Sequence, residues 1–140
     1  MKRVAAYLLP IALWAGTIFV LSAQSRLPTI EVNHFDKLVH ASVYAVLGLL
    51  FTRALRGYGG ARTTSLVLGI LFASAYGATD EVHQMITPGR SPDVRDWIAD
   101  SVGAVAGAFA WTWFSSRLAH RKAGSGAAIV PAPSRETAPR

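Results

Sequence analysis

The sequence predicts an all-α fold, a small polytopic membrane bundle of four transmembrane helices, and three observations predict it. The 140-residue chain is 51% hydrophobic and only 16% charged, where a soluble domain of this size carries about 25% charge. Four charge-free windows recur along it, Val4–Ala23, Leu38–Thr52, Thr63–Thr79 and Ser101–Ser116. The basic residues gather in alternate connections. There is no cysteine, hence no disulfide, thiol nucleophile or thiolate metal site. The net charge of +6 sits beside apolar runs and not in a stripe with aromatics, so no nucleic-acid partner is expected.

The first window, at 20 residues, can span a ~30 Å hydrocarbon core as a helix. Its basic start and Val20-Leu21-Ser22 also suit a signal peptide. Its length, with Pro10 and Trp14 inside, favours an uncleaved helix. The second, third and fourth windows hold 15, 17 and 16 residues. Each spans if its helix continues into polar residues, with Lys37 and Arg53 snorkelling outward. Gly57, Gly59 and Gly60 mark a short turn between the second and third helices.

Ten of the 14 basic residues lie before the first window, between the second and third, or after the fourth. Arg26, Lys37, Arg90 and Arg95 are the other four. The positive-inside rule therefore puts both termini in the cytoplasm of a multi-pass cell-membrane protein. Residues 1–118 form the membrane domain. The Gly-, Pro- and Ala-rich stretch 119–140 reads as a disordered cytoplasmic tail.

Seven of the eight acids then fall on the outer side: Glu31, Asp36, Asp80, Glu81, Asp93, Asp96 and Asp100. Asp93, Asp96, Asp100, Gly103 and Gly107 are spaced 3, 4, 3 and 4, one stripe on a helix. Its glycine half is the small-residue pattern of close membrane-helix contacts. Asp36, His40, Tyr44 and Gly48 make a similar face on the second helix. Tyr76, Asp80, His83 and Gln84 make one on the third, with Gly69 and Ala73 deeper. Glu81 lies about 100° away from Asp80, at the margin between that face and water. Isolated charges in lipid cost several kcal/mol, so the three faces are expected to meet around one wet pocket.

Between the third and fourth helices, Pro88-Gly89 reads as a tight turn and Ser91-Pro92 as an N-cap with proline at the first helical position. Asp93 then either serves the helix dipole or joins the pocket. Arg90 either pairs with Asp93, Asp80 or Asp36 or binds an anion.

These residues resemble the VanZ-like membrane family. The matching pieces are Ser22-Ala23-Gln24-Ser25, Phe35-Asp36-Lys37-Leu38-Val39-His40, Tyr44, Asp80-Glu81-Val82-His83-Gln84, Pro88-Gly89-Arg90, and Asp93, Asp96 and Asp100 with Gly103. They run in order through roughly residues 4–118. Asp100 departs from the Asn expected in many relatives. The resemblance implies a membrane location and a cell-envelope role, since the family is named for a protein of glycopeptide-resistance clusters associated with teicoplanin resistance.

The expected partners are the bilayer and an envelope lipid, glycan or glycopeptide. The candidate ligand-binding set is Asp36, Lys37, His40, Tyr44, Asp80, Glu81, His83, Gln84, Arg90, Asp93, Asp96 and Asp100. As a hydrolase or transferase, the chain would use His40 or His83 as base, oriented by Asp36 or Asp80. No nucleophile is evident, so water would attack. A divalent metal on His40, Asp80, His83 and Asp96 would activate it. The alternatives are a non-catalytic binding protein, an ion path, and a cluster that only holds four helices together. No polar chain crosses to the inner side, which argues against the ion path.

Overall fold

The computed structural model describes residues 2–24 and 35–127, the side chains of 122–127 excepted. Glu31, Arg26 and Ser25, used above, lie outside the described residues. The described chain forms α1 (Lys2–Ser22), α2 (Phe35–Gly57), α3 (Arg62–Ile86) and α4 (Val94–Ala127). The fold is all-α, as the four windows predict.

Two of the four helices, α1 and α2, are long and apolar enough to cross a membrane. The others have ample length, 25 and 34 residues, but their apolar windows are rich in Gly, Ala, Ser and Thr. That composition lowers hydropathy and allows close packing. Helix α4 also runs to Ala127, so the stretch 119–127, read from composition as tail, is helical. The remaining residues, 128–140, lie outside the described residues.

Helices α2 and α4 form the central pair, α3 packs on both, and α1 lies against α2 and α3. Glycine sets the central contact. A Cβ on Gly103 would overlap the Ala41 carbonyl, and one on Gly107 the Ala45 carbonyl. Gly48 lies against Ala104 in the same way. The core consequently contains small residues, with Ala73, Ala104, Leu47 and Tyr44 buried. Polar anchors tie α1 on: Trp14 Nε1 donates to the Val43 carbonyl at 2.9 Å, and Tyr76 Oη to the Ala15 carbonyl at 2.7 Å. Each such bond contributes about 1 kcal/mol.

The connection after α3 is the tight turn expected. Arg90 N donates to the Thr87 carbonyl at 3.1 Å, and Gly89 has φ +79°. Pro88 followed by a left-handed glycine is the type II arrangement. The cap differs from expectation. Asp93, not Ser91, opens α4: its carbonyl receives Asp96 N at 2.8 Å and its Oδ1 receives Arg95 N at 2.8 Å. A carboxylate serves an N-cap at least as well as a hydroxyl, and Pro92 is left outside the helix.

Candidate functional site

The close α2–α4 contact brings the starts of both helices together, and the charged side chains meet there. Lys37 Nζ reaches Asp36 Oδ2 at 3.1 Å and Asp93 Oδ2 at 3.0 Å, and it also contacts Asp96 Oδ1. One turn deeper, His40 Nδ1 is 3.0 Å from Asp100 Oδ1, and its Nε2 lies 4.0 Å from Asp96 Oδ2. Asp100 is fully buried. Gly77 of α3 makes room for it, since a Cβ there would come within 2.9 Å of Asp100 Oδ2. Tyr44 follows on the same face, buried, with its hydroxyl unpartnered.

The face of α2 keeps His40, Tyr44 and Gly48 of the expected stripe, with Lys37 in place of Asp36 at its start. Lys37 does not snorkel outward; three carboxylates draw it inward. Asp36 instead stands at the solvent edge, its side chain 59% exposed.

Helix α3 joins through Glu81. Glu81 is buried, and its Oε2 accepts the Asp93 backbone N–H at 2.7 Å. A partner at the start of α4 turns that side chain away from water. Gln84 Nε2 lies 3.5 Å from Asp80 Oδ2, a long contact between two buried residues. His83 points elsewhere, its ring 4.6 Å from that of Phe19 on α1. The Arg95 N–H first, and then Lys37, hold the Asp93 carboxyl below the ordinary carboxylate range. Because that value is lowered, its stabilising effect is present above the ordinary carboxylate pKa. The effect is lost as pH falls through the lowered value.

Arg90 forms no ion pair with Asp93, Asp80 or Asp36 among the described residues. Its Nε is buried without a hydrogen-bond partner. It lines a cavity of about 130 Å³ with Ser22, His40, Tyr44, Asp80 and apolar side chains of α1 and α2. Ser22 Oγ and Tyr44 Oη are also buried and unpartnered. Buried polar atoms are normally satisfied by protein or water, and this volume holds several waters or a small polar group. Ser22 was not placed in the site from sequence, although it opens the first piece of the family resemblance. The position of α1 brings it in.

The metal set foreseen from sequence does not assemble. His40, Asp80, His83 and Asp96 come from three helices, the His83 ring packs tilted against Phe19, and no group of three or more potential ligands gathers among the described residues. What does assemble is a histidine–carboxylate pair. With Nδ1–H donated to Asp100, the neutral imidazole leaves Nε2 as acceptor. The orienting carboxylate is therefore Asp100, not Asp36 or Asp80.

A family described as VanZ/LLP1 matches residues 3–115. That span includes all of the residues just described and nearly all of α1. No curated protein and no solved structure matches the chain.

Proposed function

The chain belongs to the VanZ/LLP1 family, and from that premise we propose an integral membrane protein that binds the polar group of an envelope amphiphile at one face of the bilayer. The membrane part of the reading is supported by an inverted apolar distribution. Leu13, Val20, Leu71, Phe72, Val102 and Phe109 are exposed on the outsides of the helices, while the interior is largely alanine, glycine and polar groups. A water-soluble monomer exposes only limited apolar patches. All four helices cross the bilayer in this reading, α3 and α4 through their shorter apolar halves.

The orientation proposed is both termini cytoplasmic, from the basic-residue split. A reporter fused after Arg140 is expected to be active in the cytoplasm, and one inserted at Gly89 outside it. The opposite pattern would move the site to the inner face and remove the envelope reading with it.

One observation carries the binding function: the cavity lined by Ser22, His40, Tyr44, Asp80 and Arg90, residues that include three buried polar atoms without partners, Ser22 Oγ, Tyr44 Oη and Arg90 Nε. Its lining residues include an arginine, two hydroxyl side chains and a carboxylate, and its surface is mostly apolar, with Ile18, Leu21, Val39 and Val43 in the walls. That pairing suits an amphiphile carrying an anionic group next to a hydroxyl or amine, such as a lipid-linked envelope precursor. Arg90→Gln is expected to weaken retention of amphiphile co-purifying with the protein by about 10- to 150-fold, as loss of a charge-assisted bond of ~1.5–3 kcal/mol implies. Mass spectrometry of the extracted lipid measures it. Equal lipid on both proteins would rule out the cavity as the binding place. The glycopeptide association of the family suggests the cellular consequence. The same substitution is expected to remove any teicoplanin tolerance that the intact chain confers on a susceptible host.

The hydrolase or transferase reading is favoured by a different observation, the 3.0 Å His40–Asp100 contact. There His40 Nε2 takes the proton of an attacking water or hydroxyl while Asp100 holds the ring. Asp100→Asn, outside the cavity lining, would then sharply lower turnover while leaving amphiphile bound.

A further inference from the structure

At the opposite end of the bundle, where α1 and α3 begin and α2 and α4 end, a second and larger cleft of about 610 Å³ opens. Its walls carry Arg53, Arg56 and Arg62, with Tyr7, Trp111 and a group of α4 hydroxyl side chains. Among the described residues no carboxylate lines it, and none of the three arginines forms an ion pair. Like charges with no counter-charge repel one another, so the arrangement is unfavourable until an anion enters. We propose that this cleft is a binding site for a phosphate group, supplied by an anionic phospholipid of the adjoining leaflet.

The geometry favours a seated anion over diffuse attraction. Arg53 is fixed: it donates to the Ala6 carbonyl at 2.9 Å and its guanidinium lies 4.9 Å from the centre of the Tyr7 ring. Tyr7 in turn sits directly on Gly57, where any Cβ would strike the ring. Arg56 is held by a 2.6 Å bond to the Gly60 carbonyl. Each guanidinium has five N–H donors, so most remain unused. Trp111 Nε1, on the α4 wall, is buried with no acceptor, and an indole N–H can only donate. Arg62 occupies the first turn of α3, whose start has no side-chain cap. A helix N-terminus there adds partial positive charge. The aromatic wall of Tyr7 and Trp111 suits the boundary between headgroup and acyl chain. Nothing in this cleft overlaps the cavity around Arg90.

The test uses the full chain in nanodiscs of phosphatidylcholine with or without phosphatidylglycerol, followed by native mass spectrometry of retained lipid. Phosphatidylglycerol is expected to be retained over phosphatidylcholine. The Arg56→Gln/Arg62→Gln variant should lose that preference by about 25-fold, since each basic residue near a membrane surface contributes about a factor of five. Trp111→Phe, which keeps the ring volume and removes the N–H, should lower it severalfold. Arg121→Gln, outside the cleft, should leave it unchanged. Competition by soluble glycerol 1-phosphate would assign the site to the phosphate alone. Failure of that competition, with the lipid preference intact, assigns it to the lipid. Both outcomes support the site. Equal retention of the two lipids, or an equal loss in Arg121→Gln, overturns it.

Discussion

Gly107→Leu is expected to prevent stable assembly of the bundle, and Gly107→Ala to lower its stability by about 1–3 kcal/mol, the usual range for overpacking. The reason is that the neighbour is backbone. A Cβ at Gly107 would lie on the Ala45 carbonyl, and one at Gly103 on the Ala41 carbonyl. A side chain can change rotamer, but a helix carbonyl can yield only if its helix moves. Moving α4 away from α2 also withdraws Asp96 and Asp100 from Lys37 and His40. The loss should therefore exceed that at Gly16, where a Cβ meets nothing within 4 Å. Thermal unfolding in detergent, with Gly16→Ala as reference, measures the difference. Equal midpoints for Gly107→Ala and Gly16→Ala would mean that α2 and α4 are not in backbone contact.

Much of this was legible in the sequence because helical periodicity fixes relative angles within one helix. The spacing from Asp93 to Gly107 identifies the inner face of α4, and the structure has Asp96, Asp100, Gly103 and Gly107 on it. Periodicity gives no absolute rotation, and that is where reading the sequence misplaces residues. On α2 the stripe could begin at Asp36 or Lys37, about 100° apart. The longer lysine side chain, able to meet three carboxylates, settles it in the structure. Glu81 is buried because the Asp93 amide on another element supplies a partner, information no single helix contains. His83 turns to Phe19 of α1, a helix with no polar stripe of its own from which its rotation could be inferred. Ser22 enters the cavity for the same reason. In the connection before α4, Ser91 and Asp93 are both acceptable caps, and the choice depends on Glu81 holding the Asp93 amide.

Replacing Lys37 by Met is expected to destabilise the protein by about 1–3 kcal/mol, and most of that loss should disappear when Asp96 is also replaced by Asn. Removing one partner of a buried ion pair costs ~3–5 kcal/mol because the other charge is left unpaired. Lys37 and Asp96 are only partly shielded, with 25% and 15% of their side chains exposed, so the loss falls below that range. The other two carboxylates matter less. Asp36 and Asp93 have 59% and 42% of their side chains exposed, and solvent-screened pairs contribute little. Asp36→Asn should therefore stay within about 0.5 kcal/mol of the parent. Without Lys37, the Asp96 carboxylate faces Asp100 across His40 with no fixed cation beside it. Asn at position 96 removes that repulsion, which is why the double substitution should recover stability. The coupling between positions 37 and 96 should fall in the range of about 0.5–3 kcal/mol seen for contacting residues, read from unfolding midpoints of the two single variants and the double. His40→Ala with Asp100→Asn should couple similarly, through their 3.0 Å contact. Strict additivity in both pairs would reduce the cluster to polar helix ends that happen to be near one another. Coupling in stability with amphiphile retention unchanged would make the cluster the clasp that holds α2 to α4, and leave ligand binding to the Arg90 cavity alone.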